Sequence, residues 1–232
     1  MTPGRAVAAL VPVRGLAEGK QRLAAVLSAE ERRELIIAML EDVLAALCGC
    51  AAVKSVAVVT GDAAVAALAG EHGAAVLPDA AEGGLNGSLA GARAWLRTLH
   101  PAASILILAA DLPLVTHALL EDRVFAAGAE VVIARSGDGG TNALLLRPPA
   151  VLPLSFGPGS CARHRAAAIV AGRSVQVIDD PDLALDLDRP ADLAAHLSRA
   201  ASGRTRHLLR RLRIHERLAG GMPPDPVLRV LP

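Results

Sequence analysis

Asp111, Asp186 and Asp188 are the side chains of this chain best suited to chemistry. Asp111 ends the nearly uninterrupted apolar run from Ala103 to Ala110, and Pro113 stops it. An aliphatic run of that length reads as a strand buried on both faces, the kind found in parallel sheets. An acid just past the carboxyl end of such a strand lies where open α/β sheets bind their ligands. Asp186 and Asp188 alternate with Leu185 and Leu187, so an extended backbone puts both carboxylates on one side. Three carboxylates at sheet ends suit a hard divalent cation, Mg²⁺, which needs few protein ligands when phosphate oxygens and water complete its shell. The plainer readings are a turn aspartate at 111 and a solvated face at 186 and 188.

Three glycine-bearing segments could grip anions. Residues 15–23 follow the first strand and carry Gly15, Lys20 and Arg22. A loop in that place can hold phosphates, although the GxxxxGK[ST] spacing of a Walker A motif fails. Gly137-Asp-Gly-Gly-Thr141-Asn142 offers backbone N–H groups and a hydroxyl immediately before a strand. Phe156-Gly157-Pro158-Gly159-Ser160 delivers Ser160 to a helix N-terminus, with His164 and Arg165 on the next turn, where unpaired N–H groups and the helix dipole favour phosphate. Taken singly, each also fits an ordinary charged loop, a hairpin-like turn or a serine cap.

The elements that must position these residues alternate short aliphatic runs with helical stretches, which predicts an α/β fold with a mostly parallel central sheet flanked by helices. Strands are expected over 6–13, Val53–Thr60, 74–77, 104–110, 130–134, 142–147 and 174–178, with a further extended piece over 183–187. Ser28-Ala-Glu-Glu31 is a capping-box signature that opens a helix to about Leu47. Asp62 caps the next helix, and the turn Gly83–Gly87 leads into one ending near Leu99. Helices are also expected over 116–127, from Ser160 to the Gly172 stop, and from Pro190 to Arg199. Residues 1–199 read as one domain and 200–232 as an arginine-rich extension.

Composition excludes several classes. The chain has 232 residues and a net charge of +1, enough length for a full core in one domain. From Arg199 onward eight arginines face only Glu216 and Asp225, so the first 198 residues are mildly acidic. An acidic body with Trp95, Phe125 and Phe156 as its only aromatic residues offers neither a phosphate-tracking surface nor stacking platforms for nucleic acid. The three cysteines suggest neither a disulfide framework nor a zinc site. Residues 6–13 are too short for a membrane span and lack a cleavage signal, which points to the cytoplasm. The leucines of the extension, Leu208, Leu209 and Leu212, favour a helix packed on the body over a nucleic-acid or partner-docking arm.

Taken together, Val11-Pro-Val-Arg14, Gly19-Lys20-Gln-Arg22-Leu23, Glu31-Arg32, the segment 38–43, Gly84-Leu85-Asn86, Ala110-Asp111-Leu112-Pro113, Gly140-Thr141-Asn142, Phe156-Gly157-Pro-Gly159-Ser160 and Leu185-Asp186-Leu187-Asp188 resemble the 2-phospho-L-lactate guanylyltransferase family of coenzyme F420 biosynthesis. Its bacterial members are phosphoenolpyruvate guanylyltransferases. The resemblance spans residues 6–198 in order. It implies a Rossmann-like nucleotidyltransferase domain, similar to the molybdenum cofactor guanylyltransferases, that transfers GMP from GTP to phosphoenolpyruvate or 2-phospho-L-lactate with release of diphosphate. It further implies Mg²⁺ on Asp111, Asp186 and Asp188, acceptor binding by Thr141, Gly157 and Ser160, and nucleotide binding by Gly15, Lys20, Arg22 and Asn86. Lys20 and Asp111 are the expected catalytic pair.

The expected partners are GTP and a small phosphorylated three-carbon acid, with neither membrane nor nucleic acid among them; a homodimer is left open. Two departures bear on the acceptor: Ala134-Arg135-Ser136 replaces the family's acidic–basic pair, and Arg189 stands before Pro190 where threonine is usual. The competing readings are a nucleotidyltransferase for a pterin or sugar phosphate, and a nucleotide-sugar glycosyltransferase, whose Asp-x-Asp motif Asp186-Leu-Asp188 also fits. Release of pyrophosphate rather than a nucleoside diphosphate separates them.

Overall fold

A computed structural model of the chain describes residues 6–16, 19–79 and 83–220. Among the described residues seven strands, β1 (Val7–Pro12), β2 (Val53–Thr60), β3 (Ala75–Pro78), β4 (Ser104–Leu108), β5 (Val131–Arg135), β6 (Thr141–Leu146) and β7 (Val175–Ile178), form one sheet in the order β3-β2-β1-β4-β6-β5-β7. β1 runs parallel to β2 and β4, β2 to β3, and β5 to β7. Only β6 is reversed, antiparallel to both β4 and β5. The connection from β5 to β6 is the short glycine-rich loop at 136–140, which cannot make the crossover a parallel pair requires. The mostly parallel sheet expected from the apolar runs is therefore present, with one inserted hairpin strand.

The helices cover both faces: α1 (Ala29–Gly49), α2 (Ala63–Glu71), α3 (Gly84–Leu99), α4 (His117–Leu119, continued by a wide turn over Leu120–Phe125), α5 (Ser160–Val170), α6 (Pro190–Arg199), α7 (Arg204–Arg211) and α8 (Ile214–Leu218). β1 shows why its run is uniformly apolar. Val7, Ala9 and Val11 pack in one core with Leu35, Met39 and Leu40 of α1. Ala8 and Leu10 enter the other with Leu89 and Leu96 of α3 and Ala168 of α5. β4 divides in the same way, Leu106 and Leu108 to the first core and Ile105 and Ile107 to the second. Period-two alternation between two covered faces leaves no polar position.

The capping box at α1 forms as expected: Ser28 Oγ accepts the Glu31 N–H at 3.2 Å, and Glu31 Oε2 accepts the Ser28 N–H at 2.8 Å. Asp62 caps α2 through the Ala64 and Val65 N–H groups. The helix expected after the Gly83–Gly87 turn begins within it, at Gly84. Residues 183–187 pair with no strand of the sheet.

Beyond Arg199, Leu208, Leu209 and Leu212 are buried in the same core as α1. The N-terminus of α7 is capped from a distant helix, with Asp42 accepting the Arg204 N–H at 2.7 Å and the Thr205 N–H at 2.9 Å. Residues 221–232, the end of the expected extension, lie outside the described residues. Among the described residues, no helix is long and apolar enough to cross a membrane.

Candidate active site

Lys20 is the hinge of the site. Its backbone is left-handed, with φ 55°, a conformation uncommon for a residue with a side chain and found often at functional positions. From there its ammonium donates to Asp111 Oδ2 at 2.6 Å and lies 3.7 Å from Asp188 Oδ1. Arg22 Nη1 donates to the other oxygen of Asp188 at 2.6 Å. The loop after β1 thus meets both acid segments, as their charges require.

Backbone ties hold those acid segments together. The Leu187 N–H donates to the Asp111 carbonyl at 3.2 Å, and Asn142 Nδ2 donates to the Leu183 carbonyl at 2.9 Å. Asp192, in the first turn of α6, accepts the N–H groups of Asp188 and Arg189 at 3.0 and 2.6 Å. Arg189 itself is exposed. Leu187 is fully buried and Leu185 partly so, which leaves Asp186 and Asp188 on the opposite side of the extended segment.

Burial pushes the Asp186 carboxyl above the usual carboxylate range, and the negative charge of Asp111 pushes it the same way. A fourth acid, Asp138, also raises it. Asp138 is itself held below its ordinary value, first by the Ser136 hydroxyl and then by the Gly140 N–H at 3.0 Å. Sequence reasoning passed over Asp138, although it lies within the glycine loop quoted for its backbone. Asp138 and Asp186 thus add negative charge beside the pairs that Lys20 and Arg22 make with Asp111 and Asp188, and a divalent ion would offset part of it. Among the described residues no three His, Cys, Asp or Glu side chains are gathered into a ready-made metal cage. An open site of hard oxygens fits Mg²⁺, which keeps waters and takes phosphate oxygens.

Beside this charge cluster, Pro12, Arg14, Gly15, Lys20, Met39 and Asp111 help to bound a mostly apolar cavity of about 220 Å³. Its rim is fixed by Asp62, whose Oδ2 accepts the Leu16 N–H at 3.0 Å. That bond is the first cause of the lowered Asp62 pKa. The role of Asp62 as a cap was legible from the sequence; its reach across to Leu16 was not.

Thr141 and Ser160 come together on the other side of β4. Ala109 N–H donates to the Asn142 carbonyl at 2.8 Å, so the start of β6 lies against the end of β4, two residues from Asp111. Ser160 Oγ is 2.9 Å from Thr141 Oγ1, and His164 Nδ1 is 3.1 Å from the same oxygen. Gly157 and Gly159 have φ of 118° and 68°, values that a side chain would strain. Arg163 clamps their loop, its Nε donating to Ser155 Oγ at 2.8 Å and its Nη2 to the Ser155 carbonyl at 2.9 Å. Asn86 clasps the same loop: its Oδ1 accepts the Phe156 N–H at 2.7 Å and its Nδ2 donates to the Phe156 carbonyl at 3.2 Å. The structure thus joins Asn86 to the segment carrying Gly157, whereas Arg165 lines a groove with Arg135 and Asp179.

A family model described as "Guanylyl transferase CofC like" matches residues 7–222. A phosphoenolpyruvate guanylyltransferase of Rubrobacter xylanophilus is 45% identical over 193 residues, covering 81% of this chain and 92% of that protein. A 3-phospho-D-glycerate guanylyltransferase of Phenylobacterium zucineum is 40% identical over 204 residues, covering 84% and 91% respectively. Among solved structures, a putative nucleotide-diphospho-sugar transferase from Desulfovibrio desulfuricans superposes with a TM-score of 0.71 at 16% identity, covering 90% of this chain and 97% of that one. That last likeness shows the fold.

Proposed function

The chain belongs to the CofC-like guanylyl transferase family, and from that premise we propose that it transfers GMP from GTP to phosphoenolpyruvate in coenzyme F420 biosynthesis. The observation that carries the assignment of roles is the meeting of Lys20 with Asp111 and Asp188 at the end of the β4 strand, beside the Thr141–Ser160 hydroxyl pair. The names of its relatives support the acceptor: several are phosphoenolpyruvate guanylyltransferases.

A phosphate oxygen of the acceptor attacks the α-phosphorus of GTP. The new P–O bond forms as the bond to the β-phosphate oxygen breaks, and diphosphate carries off the electron pair. The attacking oxygen is already anionic at neutral pH, so no general base is needed. The obstacle is repulsion between two polyanions, and catalysis is positioning plus charge stabilisation. Lys20 and Arg22 bind the triphosphate and neutralise charge on it, while Gly15 and the cavity beside it take the nucleotide. Thr141, Ser160 and the Gly157 loop hold the acceptor, and Asn86 keeps that loop in place. Asp111, Asp186 and Asp188 would hold Mg²⁺ together with phosphate oxygens; the ion would supply charge neutralisation at the transferring phosphorus.

The test is to incubate the protein with Mg²⁺, each nucleoside triphosphate, and phosphoenolpyruvate, 2-phospholactate or 3-phosphoglycerate, measuring diphosphate and product mass. GTP with phosphoenolpyruvate is expected to be the most efficient pair, and Asp111→Asn to lower turnover by orders of magnitude in a folded protein. No diphosphate from any pair would overturn the reaction; near-normal turnover of Asp111→Asn would overturn the role of Asp111.

A further inference from the structure

We propose that His164 is a positioning residue of the acceptor pocket, orienting the Thr141 hydroxyl so that it meets an incoming anion with its proton. This rests on the assignment of Thr141 and Ser160 to the acceptor. His164 is fully buried, and three contacts fix its ring. The Ser155 backbone N–H lies 3.0 Å from Nε2, Thr141 Oγ1 lies 3.1 Å from Nδ1, and the Phe156 ring packs edge-on at 5.0 Å between centroids.

A backbone amide can only donate, so Nε2 accepts and carries no proton. Burial and, secondarily, the nearby Arg163 charge push the ring's pKa down to about 4, so at neutral pH it bears a single proton, and that proton is on Nδ1. Nδ1–H therefore donates to Thr141 Oγ1. The opposite wiring, with Thr141 donating to Nδ1, would set an Nε2 proton head-on against the Ser155 amide.

Ser160 Oγ donates to the same oxygen at 2.9 Å. With both lone pairs of Thr141 Oγ1 engaged, its own proton points away from Ser160 and His164. Thr141 is partly exposed, whereas Ser160 is buried, so the free proton belongs to the hydroxyl that an incoming anion can reach. A phosphate or carboxylate oxygen needs a donor at that point, and a hydroxyl free to rotate would offer a lone pair part of the time. The same ring holds the Ser155 end of the Gly157 loop, so one buried imidazole ties Thr141 to the loop that carries Gly157.

Variants that keep one ring nitrogen each test the proposal. In His164→Asn the amide nitrogen takes the place of Nδ1 and keeps the donor to Thr141; in His164→Gln the amide reaches the Nε2 position and loses it. His164→Gln is expected to raise the acceptor KM at least tenfold with the KM for GTP unchanged, and His164→Asn to recover most of that loss. In a Thr141→Val background, His164→Gln should add less than a factor of two. Full additivity in that background, or an acceptor KM unmoved by His164→Gln in a folded protein, would overturn it. Independently of turnover, ¹⁵N NMR of the histidine rings should find the Nδ1–H tautomer at His164, and an Nε2–H tautomer would overturn the proposal even if every variant misfolded. If the wild-type protein transferred nothing to any acceptor, the function assignment would fall while the tautomer still decided the wiring of Thr141.

Discussion

Arg217→Met should be among the most destabilising single changes in this chain. Its guanidinium donates to both oxygens of Glu31 at 2.8 Å and to the Val26 carbonyl at 3.1 Å. The two side chains are 3% and 0% exposed. Methionine fills most of the volume but leaves the Glu31 carboxylate buried with, among the described residues, the Ser28 N–H of its capping box as its remaining donor. Breaking a buried pair by removing one partner costs about 3–5 kcal/mol, and a domain of this size loses roughly 2–4 °C of melting temperature per kcal/mol. The expected drop is therefore on the order of 6–20 °C. Replacing both partners removes the stranded charge, so Glu31→Gln with Arg217→Met should regain more than half of the loss, a non-additivity that a double-mutant cycle measures. Urea unfolding followed by circular dichroism would give all three free energies. Because Val26 follows the Lys20–Arg22 loop by a few residues, the KM for GTP should rise more than that for the acceptor. A loss under about 1 kcal/mol at unchanged m-value, or strict additivity of the two changes, would refute the reasoning.

Further consequences concern pH and the pocket. Asp186 is held protonated more readily in the folded chain than in the unfolded one, so its charge works against folding above its native pKa. Asp186→Asn should raise the melting temperature at pH 7.5 while depressing turnover; a lower melting temperature would contradict this. His164 and His196 both sit near a pKa of about 4 against an ordinary 6.5, chiefly through burial. Because the unfolded chain takes up the protons first, stability should be level above pH 6.5 and fall as pH drops towards 4, by up to about 3 kcal/mol per ring. His196→Leu should remove its share of that slope and also relieve two buried ring nitrogens that have no partner among the described residues; an unchanged slope between pH 6.5 and 4 would count against it. Gly157→Ala forces a side chain to φ 118°, a strain of about 1–3 kcal/mol. It should raise the acceptor KM and leave that for GTP alone, and steady-state kinetics showing both unmoved would detach the loop from the acceptor.

What the sequence disclosed and what it hid divide by range. The capping box at Ser28 and Glu31, the cap at Asp62 and the two-sided burial of β1 and β4 each depend on neighbours a few residues apart, and each formed as read. The reversal of β6 was also within reach: a parallel and an antiparallel strand can share one apolar pattern, but the brevity of the glycine loop before Thr141 permits only a hairpin. Contacts between distant residues left no local signature. Asp42 caps α7 across more than 160 residues, and its sequence context is simply the middle of a helix. Glu31 looks like half of a capping box, with nothing nearby to show that Arg217 completes its bonding.

These hidden contacts share a logic with the visible site. α1 begins just after the Lys20–Arg22 loop, and its acids Glu31, Glu34 and Asp42 bind Arg217, Arg211 and the start of α7. Arg211 and Arg217 of the C-terminal segment are thus paired against acids of the body. Pairing of this kind holds α1, whose first turn follows the loop that brings Lys20 and Arg22 to Asp111 and Asp188. Of these contacts the buried, bidentate Arg217–Glu31 pair in the first turn of α1 does most to fix the helix beside that loop, because an exposed pair such as Arg211–Glu34 contributes little.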